Sequence, residues 1–256
     1  MSKPVLWNVD GRGMATVTLN RPEVNNAYDE ALIQGLHDAM DALAGARIVV
    51  LRGEGRHFQA GADLKWIARV ALQSAAENER ISRATAMAVH RLNTLPVPTI
   101  ALVQGGCFGG GTGIVAACDV VIAADNATFS IAETRWGLTA AIILPQLADA
   151  IGVRQVRRYA LSGERFDANE ARRIGLVHEV VPLAELHSAG EKRVAQLLQN
   201  APQANAETKA TVMESAWGDP GEAAMEKLIR AHAAKRRSAE AREGLASFVE
   251  KRPARW

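Results

Sequence analysis

GGCFGGGTG, residues Gly105 to Gly113, forms a glycine-rich loop between a predicted strand and a predicted helix. The strand is the β-branched run Thr99–Val103, and the helix occupies Gly110–Cys118. A loop that opens a helix points unpaired backbone N–H groups at whatever lies above the helix N-terminus, which suits an oxyanion or a phosphate. No Gly-Lys-Ser/Thr sequence follows the glycines, so this is not the phosphate loop of P-loop nucleotide hydrolases.

The same glycines also fit a loose dinucleotide-binding fingerprint, Gly111-x-Gly113-x-x-Ala116, which would indicate a nicotinamide-dependent oxidoreductase. That fingerprint normally lies in the first strand–turn–helix unit, and an acidic residue follows it by about 20 positions. Here it comes after residue 100, and the segment where the acid is expected matches poorly. A lone match of this kind does not identify an oxidoreductase.

A second loop, Phe58–Leu64, follows the predicted strand Arg47–Leu51 and contains the small residues of FQAGADL. In one interpretation Asp63 only caps the helix that begins there. In the other, Ala60 and Gly61 let the backbone approach a ligand closely, which leaves the N–H of Ala60 free to donate. The residues of this loop alone leave both interpretations open.

A third loop, Phe129–Gly137, contains the acidic residue Glu133 in an apolar setting. Ile131, Ala132 and Trp136 flank this glutamate, and their side chains would desolvate the carboxylate and raise its pKa toward the range useful for proton transfer. In the alternative interpretation, Glu133 is an ordinary solvated glutamate in the first turn of a helix. The loop therefore offers a candidate catalytic base.

The composition is that of an ordinary globular protein, with 256 residues, 48% of them hydrophobic and 23% charged. The formal net charge of +2, with the basic residues scattered, argues against a nucleic-acid partner. Cys107 and Cys118 form neither a disulfide framework nor a zinc quartet, so we expect packing residues, no metal and a cytoplasmic location. Without a signal peptide or an apolar run of about 18 residues, we expect no membrane span.

The chain divides into a region rich in strands and a helical tail. A hairpin of Val5–Val9 and Ala15–Leu19 opens the first region, and strand–helix alternation continues as far as Val177–Val181. Helical patterns then follow to the end of the sequence, so we place a boundary near residue 195. We predict a core domain at 1–195 that holds the active site, and a helical region at 196–256 whose apolar positions need a partner surface.

Taken together, in this order and spacing, the three loops resemble those of the crotonase (enoyl-CoA hydratase/isomerase) superfamily, and the resemblance runs from Val5 to Arg252. It implies an α/β fold, a spiral of repeated ββα units followed by a C-terminal helical trimerisation region, assembled as a homotrimer or a dimer of trimers. It implies an acyl-CoA substrate and no separate cofactor. It also implies that the N–H groups of Ala60 and Gly110 polarise the thioester carbonyl.

The chain departs from the family at one catalytic position. In the best-known hydratases of this family two glutamates flank the bound water; Glu133 matches one, and Gly113 stands where the other would be. A glycine can neither hold water nor carry a proton. The second acid/base group could be a carboxylate of the substrate, a second water, or Glu133 acting twice, and the sequence leaves these alternatives open.

The same departure predicts free space beside Gly113 that a branched or carboxylated acyl chain would fill. The residues expected to line this acyl pocket are Lys65, Trp66, Arg135 and Trp136. Coenzyme A contacts implied by the resemblance fall on Arg21, Ala60, Ala62, Asp63, Leu64, Phe248 and Lys251. By the family pattern the last two come from a neighbouring subunit and meet the nucleotide end, where a lysine suits a phosphate.

Several flanking stretches are similar to bacterial 3-methylglutaconyl-CoA and isohexenylglutaconyl-CoA hydratases, some of which also have glycine in place of the first glutamate. These stretches are Leu95–Thr99, Arg158–Ser162, Glu164–Asp167, Ala201–Ala206 and Phe248–Arg252. We therefore expect an enoyl-CoA hydratase for a branched or carboxylated acyl chain, of the kind met in leucine or terpene degradation. A Δ3-Δ2 enoyl-CoA isomerase needs only one carboxylate and is the alternative. A non-catalytic acyl-CoA-binding or assembly protein is an alternative of another class.

Overall fold

The computed structural model describes residues 3–217 and 222–256 and has the predicted α/β class. The strands are β1 (Val5–Val9), β2 (Met14–Leu19), β3 (Ile48–Gly53), β4 (Thr99–Val103), β5 (Gly106–Phe108), β6 (Val120–Ala124), β7 (Thr128–Ser130), β8 (Phe166–Asp167) and β9 (Glu179–Val181). The helices are α1 (Glu30–Asp41), α2 (Leu64–Ala71), α3 (Ala75–Asn93), α4 (Gly110–Ala116), α5 (Leu144–Ser162), α6 (Ala168–Arg173), α7 (Leu186–Leu198), α8 (Pro202–Trp217), α9 (Glu222–Lys235) and α10 (Ala239–Val249).

Six strands form the main sheet in the order β1-β2-β3-β4-β6-β9. The predicted hairpin is confirmed, because β1 and β2 pair antiparallel with Val5 opposite Leu19. The other neighbours in this sheet are parallel, and all five residues of β4 are buried, as expected for a parallel strand covered on both faces. The strand–helix alternation of the sequence therefore produces a sheet that is parallel except at its first edge.

A small second sheet, β5-β7-β8, brings two of the predicted loops side by side. Strand β5 lies inside the glycine-rich loop and pairs parallel with β7, so that Phe108 is opposite Ser130. The segment that contains Glu133 begins directly after β7. Because parallel strands end at the same edge of a sheet, both loops leave this sheet in the same place.

Helix α7 belongs to the core rather than to the tail. It packs on β3, β4 and β6, and its Val194 is fully buried in a cluster with Ile48 and Ile100. The predicted boundary at residue 195 therefore falls inside a helix that covers the sheet, and the chain leaves the core only after Leu198. The apolar spacing of α7 did not reveal which surface it covers.

Helices α8, α9 and α10 form the predicted helical tail. Lys209 joins α8 to the core through Asp119, at 2.8 Å, and Trp256 Nε1 donates to the carbonyl of Gln199 at 2.9 Å. Exposed apolar side chains remain on α9 and on α10, including Ile229. Within residues 3–217 and 222–256, no helix is long and apolar enough to cross a membrane.

Candidate active site

The fold brings all three predicted loops together. Gln59 and Cys107 form a parallel bridge between the Phe58–Leu64 loop and the glycine-rich loop, and Phe108 N–H donates to the carbonyl of Gln59 at 2.9 Å. The glycine-rich loop is joined to the third loop by Gly109 N–H, which donates to the carbonyl of Ser130 at 2.8 Å. Segments that are far apart in the sequence therefore build one site.

Glu133 lies where the Phe129–Gly137 loop meets the glycine-rich loop, at the start of a 3-10 turn that ends at Trp136. A Cβ built on Gly109 would stand 2.8 Å from Glu133 Oε1, so the carboxylate can lie there only because position 109 has no side chain. Glu133 Oε2 is buried and has no hydrogen-bond partner in the described residues. Burial raises the pKa of Glu133 in the predicted direction, so the carboxylate is suited to accept a proton. Trp136, one of the residues expected to bury it, is instead exposed.

Gly110 opens α4 and offers an unpaired backbone donor next to Glu133. The nearby N–H groups of Gly109 and Thr112 are used, because Gly109 donates to Ser130 and Thr112 donates to Gly109. The N–H of Gly110 donates to no acceptor in the part of the chain that the structure describes. It is a first-turn N–H, one of the groups that an α-helix leaves without an internal partner.

The donor predicted on the Phe58–Leu64 loop needs a correction. The N–H of Ala60 is not free, because it donates to the carbonyl of Asn25 at 3.0 Å. Gly61 N–H donates to Gln59 Oε1 at 2.9 Å. The N–H of Ala62, by contrast, has no acceptor among the residues described. Ala62 is therefore a free donor of this loop two residues after the predicted one, since the spacing could not reveal that Asn25 would approach Ala60.

Other residues predicted to contact coenzyme A have identifiable structural roles. Asp63 caps α2 as its position indicated, with Oδ1 accepting from the N–H groups of Lys65 and Trp66 at 2.9 Å and 3.2 Å. Arg21 forms an ion pair with Asp29 at 2.8 Å, which already neutralises its charge within the chain. Leu64 is exposed.

Two predicted contacts lie at the C-terminal end. Lys251 is exposed and follows α10 in a left-handed backbone conformation, with φ of 54°. The side chain of Phe248 lies outside the described part of the structure.

The described residues include no cluster of three or more His, Cys, Asp or Glu side chains that could hold a metal ion.

The predicted space beside Gly113 does not exist. A Cβ on Gly113 would stand 2.5 Å from Cβ of Ile143 and would overlap Cγ2 of the same residue. Ile143 ends a 3-10 turn after the third loop and is buried. The missing carboxylate is therefore replaced by an apolar side chain from another segment, which the sequence around Gly113 could not show.

The three atoms nearest to a Cβ at position 113 all belong to Ile143, and none of them belongs to the four residues expected to line that space. Trp66 is buried in the cluster that packs α2 against α1 and α3. Trp136 is 63% exposed and Lys65 is also exposed. Arg135 lies over Gly163, where a Cβ would be 2.8 Å from its Nε.

Tyr28 is a site residue that the sequence did not reveal. A Cβ on Gly110 would stand 2.6 Å from Tyr28 Cε1, so the phenol ring lies against the glycine that opens α4. The ring also packs against Trp66 in a T-shaped arrangement, with ring centroids 6.0 Å apart. Burial, with a further contribution from the charge of Glu133, raises the pKa of Tyr28 to about 12. Tyr28 precedes a helix cap in the sequence, and no local pattern distinguishes it from a packing residue.

Comparison with known proteins gives consistent results. The sequence profile described as enoyl-CoA hydratase/isomerase matches residues 10–256. The chain is 34% identical to the mevalonyl-coenzyme A hydratase of Aspergillus fumigatus, over 94% of this chain and 90% of that protein. It is 30% identical to the mitochondrial Delta(3,5)-Delta(2,4)-dienoyl-CoA isomerase of Dictyostelium discoideum, over 95% and 87% respectively. The crystal structure of an enoyl-CoA hydratase from Shewanella pealeana matches with a TM-score of 0.94 and 32% identity, over 99% and 96% of the two chains.

Proposed function

This chain belongs to the enoyl-CoA hydratase/isomerase family and has the crotonase fold, and from that premise we propose that it adds water to an α,β-unsaturated acyl-CoA. The observation that carries this proposal is the state of Glu133. Its carboxylate is buried, one of its oxygens has no partner among the described residues, and its pKa is raised. A carboxylate in this state stands beside a backbone donor that is also unpaired, and this combination suits proton transfer next to a developing oxyanion.

In the proposed mechanism the thioester oxygen accepts hydrogen bonds from the N–H groups of Ala62 and Gly110. Both N–H groups lack an acceptor among the residues described, and the two loops that hold them are joined through Gln59. Ala62 replaces Ala60 in this role. Each donor that is aimed at the developing negative charge is expected to stabilise the transition state by about 3 kcal/mol.

Glu133 is the proposed general base. It removes a proton from a water molecule as the water oxygen attacks C3, and the electron pair of the double bond moves toward the thioester oxygen. A raised pKa favours this role because it makes the carboxylate a stronger base than an exposed glutamate. The structure holds Ile143 where a second carboxylate would lie, so this part of the mechanism depends on Glu133.

We propose that the acyl chain is branched or carries a second carboxylate, as in 3-methylglutaconyl-CoA or isohexenylglutaconyl-CoA. Support comes from the stretches that are similar to those hydratases, and from the mevalonyl-coenzyme A hydratase among the relatives, whose name specifies a branched acyl group. The free space that the sequence predicted beside Gly113 is filled by Ile143, so it does not support this proposal.

Isomerisation of a Δ3 to a Δ2 enoyl-CoA is the second candidate, and a specific observation favours it. The reaction needs one carboxylate, which removes a proton from C2 and returns it at C4, and Glu133 is the acidic side chain that meets the glycine-rich loop at Gly109. One relative is itself named as a dienoyl-CoA isomerase. The two candidates differ in whether an oxygen atom from water enters the product.

We also propose that the chain works as a homotrimer or a dimer of trimers. Apolar side chains on the C-terminal helices, namely Met225, Ile229, Leu245 and Val249, are each more than half exposed. Exposed apolar groups spread along one helical region are typical of a protein interface. In such an assembly Phe248 and Lys251 would contact the coenzyme A bound to a neighbouring subunit.

The test incubates the purified protein with crotonyl-CoA, 3-methylglutaconyl-CoA and 3-hexenoyl-CoA in H₂¹⁸O. Mass spectrometry follows the label, and ultraviolet absorbance follows the double bond. Label that enters the branched glutaconyl thioester supports the proposed hydratase. Conversion of 3-hexenoyl-CoA without label would make the enzyme an isomerase. Coenzyme A binding without turnover of any of the three would point to the non-catalytic alternative.

A further inference from the structure

We propose that the hydroxyl of Tyr28 is the second proton-transfer group of this site and delivers the proton that enters at C2. This inference rests on the proposed hydration and supplies the group that Gly113 lacks. It assigns a catalytic role to a residue between Ala27 and the helix-capping Asp29, outside the three loops that identify the family.

The position of the ring is the first argument. A Cβ at Gly110 would stand 3.4 Å from Cζ of Tyr28, the carbon that bears the hydroxyl, so this end of the phenol lies beside the proposed oxyanion donor. Glu133 is close enough for its charge to act on the phenol. The described residues provide no hydrogen-bond partner for the Tyr28 hydroxyl, which leaves it able to donate to a bound molecule.

The backbone of Tyr28 is the second argument, because it fixes the ring with respect to both proposed donors. Tyr28 N–H donates to the carbonyl of Gly61, and Asp63 N–H donates to the carbonyl of Tyr28, each at 2.9 Å. These two bonds enclose Ala62, which forms a parallel bridge with Tyr28. Tyr28 therefore holds the Phe58–Leu64 loop with its main chain and contacts Gly110 of the glycine-rich loop with its ring.

The surroundings offer few substitutes for this hydroxyl. Ile143 occupies the place of a second carboxylate. His57 Nδ1 already accepts a hydrogen bond from Gly106 N–H at 2.8 Å. The thiol of Cys107 is buried, and its burial raises its pKa well above the ordinary value. Tyr28 combines contact with Gly110, proximity to Glu133 and an uncommitted proton.

The proton balance of the reaction is complete with these two side chains. Glu133 takes a proton from water as the water oxygen bonds to C3, and the double-bond pair forms an enolate whose oxygen accepts from Ala62 and Gly110. The pair then returns to C2 and forms a C–H bond with the proton of Tyr28, which leaves a phenolate. The proton on Glu133 passes to this phenolate, so that one water has been added and both side chains are restored.

The experiment compares Tyr28→Phe with Tyr159→Phe, because each change removes one phenolic oxygen from a tyrosine packed against an aromatic ring. Turnover is measured in H₂¹⁸O on the substrate that the wild type hydrates. We expect Tyr28→Phe to lower kcat by about 10² to 10⁴-fold, the usual range for a general acid, with KM changed less than about threefold. Tyr159→Phe is expected to keep kcat within about threefold.

A second variant separates chemistry from packing. Site-specific replacement of Tyr28 by 3-fluorotyrosine retains the ring and the hydroxyl but lowers the phenol pKa. A proton donor predicts a changed kcat and a changed solvent isotope effect, whereas a purely structural tyrosine predicts neither. Wild-type kcat in Tyr28→Phe, or a kcat in the fluorinated protein equal to that of the wild type, would overturn the proposal. Failure of the wild type to incorporate label is a different result, which would overturn the proposed function itself.

Discussion

The protein contains two tyrosine–glutamate pairs in opposite environments. Tyr159 donates its hydroxyl proton to Glu170, and Glu170 also accepts from Arg173. The hydrogen bond from Arg173 contributes most to the pKa of Glu170, and together with that from Tyr159 it lowers this pKa to about 2. Glu133 acts through its charge on Tyr28, and its Oε2 is buried without a partner among the described residues, while burial raises the pKa of Glu133. The Tyr28 hydroxyl also forms no hydrogen bond within the described residues.

The difference shows where the chain uses polar groups for stability and where it leaves them for chemistry. A buried polar atom without a partner is destabilising, so a fold tolerates it where another role retains it. The pair that includes Tyr159 fastens α5 to α6 and completes its hydrogen bonds within the chain. The pair that includes Tyr28 lies beside Gly110, where a bound substrate would supply the missing hydrogen-bond partners.

The largest expected effect is on turnover at the incomplete pair. Glu133→Gln keeps the shape of the side chain but cannot take a proton, so we expect kcat to fall by about 10³-fold or more, within or above the usual range for loss of a general base. Glu170→Gln is the matched control, with kcat expected within about threefold of the wild type. Steady-state kinetics on the hydrated substrate measures both. Equal losses of kcat in the two variants would show that Glu133 has no greater role in turnover than Glu170.

The next effect concerns the backbone donors that adjoin Tyr28. Replacing the peptide N–H of residue 62 with an ester oxygen, by incorporating the α-hydroxy analogue of alanine, removes only the donor. We expect kcat to fall by about 10² to 10³-fold, as for loss of one oxyanion donor. The same replacement at Ala60 removes its bond to Asn25 and should instead lower stability by about 1 kcal/mol with little change in kcat. If kcat fell only after the replacement at Ala60, the oxyanion donor would be the N–H of Ala60, as the sequence predicted, and not that of Ala62.

A second carboxylate beside Glu133 would make the site resemble a two-glutamate enzyme, and the structure predicts that it cannot be inserted by one substitution. Gly113→Glu is expected to destabilise the fold by about 3 kcal/mol or more, because its Cβ overlaps Ile143. Combining it with Ile143→Ala should recover part of that loss. Urea unfolding of the single and double variants measures this coupling, and additive free energies would show that the two positions are independent.

The smallest effect is the pH dependence of stability, which has opposite signs at the two glutamates. The raised pKa of Glu133 means that the folded state binds its proton more tightly, so stability falls as pH rises from about 4.3 through the raised value. Glu133→Gln should remove this fall and be at least as stable as the wild type at neutral pH. At Glu170, stability is lost as pH falls from about 4.3 toward about 2. Thermal unfolding across this pH range checks both slopes.

Much of the fold was predictable from local patterns. The hairpin, the strand Thr99–Val103 and the cap on α2 follow from alternation, β-branched residues and an aspartate before an apolar helix, because such signals act over a few residues. The boundary at residue 195 was misplaced, since only the sheet against which Val194 packs shows that α7 belongs to the core.

The sequence by itself determined the family, the α/β class and the identity of the loops, because glycines before a helix and an acid between apolar residues limit the backbone wherever they occur. The tertiary structure decided which N–H remains free, through the approach of Asn25 to Ala60. It also decided that Ile143 fills the place beside Gly113 and that Tyr28 meets Gly110. These are contacts between segments distant in sequence, and the folded chain alone sets such distances.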